Sequence, residues 1–401
     1  MSILAITIGV FTVVALGIGW RLWRQRRLDR WMLTYLIETP KRQPPAPEAE
    51  VHLLLCVADH FEPRHGGVGD DVAHARLDSW LRQYPKQFGD LRDSDGRPPQ
   101  HTFFFPLEEY EPDQLEILSR LCRWGFGEVE VHLHHDQDTA ANLHRQLETF
   151  KELLAERHDL LSRQRGTGAL AYGFIHGNWA LDNSRPDGRW CGVTNELEVL
   201  RATGCYADFT MPSAPGPAQT RKINSIYYAC GSPGRCMAHD TGTDVGRGPA
   251  PDNALLLIQG PLVFDWQRRK YGIVPRIENG CLQLTQPPDI DRLAHWLRAR
   301  VQVPNRPDWF FVKLHTHGAK ESNQEVLLGP AMVNFHRQLA ALASANQRFH
   351  YHYVTAREMY NLVRAAEAGW QGSVAAARDF DLLFNGRPTT DAAPVPAVAR
   401  C

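Results

Sequence analysis

From residue 51 onward, short apolar runs of strand character alternate with amphipathic stretches of helical character, and this alternation constrains the fold more than any other feature. The runs 51–58 (VHLLLCVA), 102–106 (TFFFP), 129–134 (VEVHLH), 169–175 (ALAYGFI), 205–210 (CYADFT), 254–260 (ALLLIQG), 309–315 (WFFVKLH) and 349–354 (FHYHYV) read as strands. Between most of them lie helical stretches such as 112–124, 138–162, 194–203, 289–301 and 324–345. A strand followed by a helix, repeated about seven or eight times, predicts an α/β chain folded as a distorted (β/α)7–8 barrel over residues 51–367. The Ala- and Pro-rich stretch 368–401 is expected to be a loosely ordered tail.

Residues 2–20 (SILAITIGVFTVVALGIGW) carry no charge, and at about 1.5 Å per residue they reach about 28 Å, the thickness of a bilayer core. The barrel is therefore expected to be preceded by one N-terminal transmembrane helix, 1–20, with Trp20, Trp23 and Trp31 at the membrane interface. Residues 21–50 form a basic juxtamembrane segment and Pro-rich linker. Arg21, Arg24, Arg26, Arg27 and Arg30 follow the span, and no Lys or Arg precedes it. That asymmetry predicts a single-pass protein of the cell membrane with its barrel on the cytoplasmic side.

The 44 basic and 45 acidic side chains nearly cancel, which leaves no electrostatic ground for a nucleic-acid partner. Eight cysteines form no CxxC pair, so neither a zinc ribbon nor a thioredoxin-type site is present. There is no GxSxG, and the glycines of 239–248 (HDTGTDVGRG) do not lead a strand into a helix as a phosphate loop requires. The Gly- and Pro-rich segment 211–252 around them has the length of a lid or binding loop.

Chemistry in β/α barrels collects where the strands end. The densest such end is 128–138 (EVEVHLHHDQD), where alternation puts Val129, Val131 and Leu133 on one side and Glu130, His132 and His134 on the other. Imidazoles and carboxylates at this density suit a divalent transition metal, zinc first among the candidates. Other predicted strands end in Asp59 and His60, in Glu108 and Glu109, in His176 and Asn178, in Asp208, and in His315 and His317.

These residues resemble a known family. VADHF (57–61), VHLHHD (131–136) and VKLHTH (312–317) are similar, in the right order, to the first, second and last motifs of the polysaccharide deacetylases, metal hydrolases with a distorted (β/α)7 barrel. The resemblance implies Asp59 as catalytic base and His60 at a metal-binding position, or, in a variant alignment, Asp59 as a metal ligand. It implies His132 as a ligand, completed by His134, His135 or Asp136, since Asp136 stands where the family has its second histidine and either neighbouring imidazole could supply it. His315 matches the family's Leu-His and would protonate the leaving amine. HGNWALDNS (176–184) stands in place of the family's Arg-x-x-Pro-Tyr motif, so Asn178 and Trp179, with Glu108, Asp208 and His317, are candidates for the substrate groove. The activity implied is metal-dependent removal of acetyl or other acyl groups from an amino sugar or glycan precursor. Two rivals are a glycoside hydrolase using a carboxylate pair from Glu108, Glu109, Asp59 and Asp208, and a barrel that only binds glycan.

Overall fold

The computed structural model describes Val13 and residues 17–21, 23–42, 44–232 and 234–385. Its strands are β1 (Val51–His60), β2 (His101–Pro106), β3 (Gly127–Leu133), β4 (Ser162–Gln164), β5 (Leu170–His176), β6 (Cys205–Asp208), β7 (Ile226–Cys230), β8 (Thr243–Asp244), β9 (Ala254–Ile258), β10 (Val263–Lys270), β11 (Val274–Glu278), β12 (Trp309–Thr316), β13 (Phe349–Tyr353) and β14 (Leu382–Phe384). All eight expected strands are present, each within two residues of its expected ends. The protein is mixed α/β, with a large, mostly parallel sheet of 12 strands. Within it β12, β1, β2, β3, β5, β6 and β9 lie side by side, each parallel to the next. β13 and then β2 share the second edge of β1, at Val51–Leu55 and Ala58–His60 respectively.

Alternation divides the sheet into two buried faces. Leu53, Leu55 and Val57 of β1 and Val129, Val131 and Leu133 of β3 join the cluster that includes Leu77, Trp80 and Leu118 of the flanking helices, here called the outer face. Leu54, Cys56 and Ala58 join Phe104, Ile175 and Phe311 on the inner face. Among the described residues no strand ladder joins β9 to β12. Lys313 of β12 reaches instead to the segment that follows β6: its Nζ donates to Phe209 O at 2.6 Å and Met211 O at 2.7 Å. Burial pushes its pKa down to about 8.

Three expectations are corrected. The helix Leu28–Glu38, expected as part of a juxtamembrane spacer, docks on the body: Trp31 is fully buried and stacks on Phe264, and Arg42 donates to Ile223 O and Arg300 O. Trp31 therefore takes an apolar core partner in place of the expected membrane interface. The segment 211–252 is not a free lid, because β7 within it pairs antiparallel with β9, and β8 pairs antiparallel with β7. Residues 368–385 are built into the fold, with helix Val374–Ala377 and β14 paired to β4. Residues 386–401 lie outside the described residues. So does most of the span expected over 2–20, and among the described residues no helix is long and apolar enough to cross a membrane.

The helix Ala356–Glu367 starts at a capping box made by Thr355 and Glu358. Its Arg357, fully buried, grips Glu128 of β3 with an Nη2–Oε1 distance of 2.7 Å and reaches Asp379 and Leu382 O. Replacing one member of a buried ion pair strands the other charge. Arg357→Met is expected to lower unfolding free energy by about 3–5 kcal/mol, and the added Glu128→Leu to recover much of it. Urea midpoints of the two variants are the measurement; equal losses would refute the pairing as the cause.

Candidate metal and catalytic site

The inner face of β3 carries Glu128, Glu130 and His132 in register, each kept from water. His132, fully buried at the strand end, places Nδ1 2.8 Å from Ile175 O of the neighbouring β5. A carbonyl can only accept, so Nδ1 carries the proton and Nε2 offers its lone pair. That Nε2 lies 3.4 Å from Glu62 Oε1. Two acceptor atoms this close need a proton or a cation between them.

The same carboxylate gathers other imidazoles. His134 Nε2 lies 3.5 Å and His317 Nε2 3.9 Å from Glu62 Oε1, while His65 Nδ1 lies 2.7 Å from Oε2. His60, at the end of β1, packs its ring 4.9 Å from His132 and 4.8 Å from His317, and its buried Nε2 has no hydrogen-bond partner. Burial would raise the pKa of Glu62, but the bonds from His132 and His65 and the nearby His317 hold it well below the usual carboxylate range. Burial, with His317 and His132 beside it, pushes His60 well below the usual imidazole value.

His60, Glu62 and His132 form a buried group whose ligand atoms lie within 4.8 Å of one another and could hold a metal ion. Donors on a tetrahedral ion with bonds of about 2.1 Å are roughly 3.4 Å apart, close to the 3.4 and 3.5 Å that separate Glu62 Oε1 from His132 and His134. The residue types and the orphaned His60 nitrogen fit a divalent cation.

Of the expected ligands, His60, His132 and His134 come together, and Asp59 and Asp136 do not. Asp59 points to the outer face, where its Oδ2 lies 2.8 Å from His101 Nε2 and its Oδ1 accepts from Gly318 N at 2.6 Å. Asp136 is exposed and accepts from Trp190 N at 2.6 Å. Glu108 binds His134, at Nδ1 and at the backbone N–H. Burial works against protonation of His134, but Glu108, Glu62 and Glu109 raise its pKa. Glu109, half-buried next to Glu62 and Glu108, is pushed up to about 7 although Arg64 N donates to it.

A cleft of about 320 Å³ opens beside this group, bordered by Trp179, Ala214, Cys281, His315 and His317. The Trp179 ring sits 5.0 Å from His60 and 6.3 Å from His315. Asn178 shares its tight turn, both residues at positive φ. His315 is buried and pushed well below the usual value by burial and by Lys313. Asp208, by contrast, is buried on Thr210, which donates from N at 3.1 Å and Oγ1 at 2.6 Å.

Glu62, the hub of the site, was not among the expected residues. Its signal was the i, i+2 step from His60 in ADHFE, which continues the inward phase of β1 two residues beyond the strand. No protein-family model and no curated protein matches the chain.

Glu62→Ala and His132→Ala are each expected to lower the bound divalent metal of the purified protein by about one equivalent per chain, since each removes one of few protein donors. Asp136→Ala should leave the metal content unchanged. Elemental analysis decides, and an unchanged content in the first two variants would rule this group out.

Proposed function

We propose that the protein is a metal-dependent hydrolase that removes acyl groups, acetyl foremost, from an amino sugar or glycan precursor, on a distorted barrel of the polysaccharide deacetylase kind. The observation that carries this reading is the convergence of His60, Glu62 and His132 beside a cleft bordered by Trp179, His315 and His317. Three protein donors leave a position open, as catalytic metal sites do. Seven neighbouring parallel strands suit the barrel, with the group at the C-terminal ends of β1 and β3.

A divalent ion held there, zinc first among the candidates, would when bound acidify a water and polarise the acyl carbonyl. The surrounding residues have separate tasks. Trp179 offers a ring at the cleft on which a sugar can stack. Glu109, whose neighbours include Glu62, Glu108 and His134 and whose carboxyl burial lifts to about 7, is the carboxylate we put forward to take the proton that the sequence motif assigned to Asp59. Asp59 acts as a positioning residue, because the backbone amide it binds belongs to Gly318, next to His317. His315, kept neutral at rest by burial, takes a proton from solvent in the cleft it borders and delivers it to the leaving amine, while Glu109 returns its own proton to solvent. With residues 2–20 as a membrane anchor, the arginines from Arg21 to Arg30 favour a cytoplasmic body and a soluble or lipid-linked precursor as substrate.

The test is acetate release from N-acetylated chitooligosaccharides by the full chain, expected to stop on chelation and return with zinc. His315→Gln should keep its metal and turn over about 10²–10⁴-fold more slowly, the usual loss for a general acid. Shortened sugar chains without acetate would replace this reading by glycosidic cleavage, and binding without either product by a glycan-binding role.

A further inference from the structure

On the outer face of the sheet, next to the site just described, four side chains of a second kind converge. His135 follows β3, His176 ends β5, Cys191 lies in the connection after it, and Glu196 opens the helix Glu196–Ala202. Alternation turns His176 to the helix side with Phe174, whereas Ile175 faces inward. His176, Cys191 and Glu196 are fully buried, and the His135 side chain is 4 % exposed.

Glu196 is the centre of the group. Its Oε1 lies 3.1 Å from His135 Nε2 and 3.6 Å from His176 Nε2, and its Oε2 lies 3.4 Å from Cys191 Sγ. The lone-pair argument applies again. His176 Nδ1 is bonded to Gly177 O and must donate to it, so Nε2 presents a lone pair towards Glu196, and it has no hydrogen-bond partner. His135 Nδ1 faces Asp138 Oδ2 at 3.2 Å, a carboxylate placed as those that orient metal-binding imidazoles are. Two backbone amides, Asn183 N at 3.3 Å and Val193 N at 3.4 Å, donate to Cys191 Sγ, whose own S–H is aimed at Glu196 Oε2 and at Val193 O at 3.5 Å. Burial and Glu196 push this thiol up, and a cation in place of its proton would join the sulfur to the carboxylate. His239 is fully buried with neither ring nitrogen hydrogen-bonded, and burial pushes it down to about 3, with Glu196 raising and His176 further lowering it.

We propose that His135, His176, Cys191 and Glu196 form a closed, structural metal site, for zinc or a similar thiophilic divalent ion, separate from the open group around Glu62. The four ligand atoms lie within 4.8 Å of one another. A complete set of four protein donors without a cleft is the pattern of structural zinc, and the sulfur selects against magnesium and calcium. The site clamps the connection 177–196 from outside. That connection holds Asn178, Trp179, Asp182, Asn183 and Trp190 at positive φ, where non-glycine residues stay only if their surroundings fix them. The clamp thus fixes the backbone that carries Trp179 to the inner cleft.

The test is on the zinc-loaded full chain and on its cobalt-substituted form. X-ray absorption of the zinc protein, after brief chelation to empty the open group, should retain about one equivalent of metal with a sulfur in its first shell. The cobalt protein should show thiolate-to-cobalt charge-transfer absorption that Cys191→Ser abolishes and His132→Ala leaves in place. This separates the site from the catalytic reading, which can fail with the band intact. No sulfur scatterer in the wild-type protein, or a band that survives Cys191→Ser, overturns the proposal, and the wild-type measurement stands even if that variant does not fold.

Discussion

Every polar side chain that β3 turns inward must find a partner out of water, and the rest of the architecture follows from that demand. Glu128 is met by Arg357 from the helix Ala356–Glu367. Glu130 is met by the Tyr206 hydroxyl at 2.6 Å and by Gly173 N, and burial still lifts its pKa to about 8. His132 is met by the β5 backbone and by Glu62. An unpaired charge at any of these positions would cost several kcal/mol. The strand therefore fixes, along its length, a salt link at one end and a set of metal-type donors at the other.

The period of two then explains why donors gather in two groups of different character. Successive residues of a strand point to opposite faces, so a polar strand end supplies both sides of the sheet. At β5 the inward residue is Ile175, whose carbonyl holds His132, and the next residue, His176, faces out. One register, Leu133 opposite His176, sets both neighbourhoods. The inner group borders a cleft, whereas the outer one is sealed under the connection 177–196. Open and closed donor sets on the two faces of one strand pair are suited to chemistry and to support respectively.

Much of this was legible in the sequence, and what was not has physical reasons. The apolar alternation marked all eight parallel strands, because buried strands are written in branched and aromatic residues. The strands β4, β7, β8 and β14 and the hairpin β10–β11 were not visible: VFDWQRRK and VPRIE carry charge on half-exposed edges that look like loop, and β7 lies inside the Gly- and Pro-rich segment read as one long connection. At the site, strand-end histidines were found by residue type alone. Glu62 and Glu196 were missed for the opposite reason: a carboxylate beyond a strand or at a helix start is ordinary in sequence, and only the fold brings it against imidazoles. The first motif misled on Asp59 and informed on His60, because alternation lets only one of two adjacent residues face inward.

Asp59 shows how a residue can matter to the site from the wrong side of the sheet. Its carboxylate is fully buried behind β1, and one oxygen takes the Gly318 amide while the Gly318 carbonyl accepts from Trp80 Nε1 at 3.0 Å. A Cβ at position 318 would fall 2.0 Å from Asp59 Oδ2, so the turn can approach this closely only as glycine. With both backbone groups of Gly318 held, the preceding His317 has little freedom, and its ring stays stacked on His60. Across β1, then, the outward Asp59 fixes the far strand end and the inward His60 meets the ring so fixed. Two neighbouring residues of one strand act on the same site, one by contact and one through the backbone it anchors.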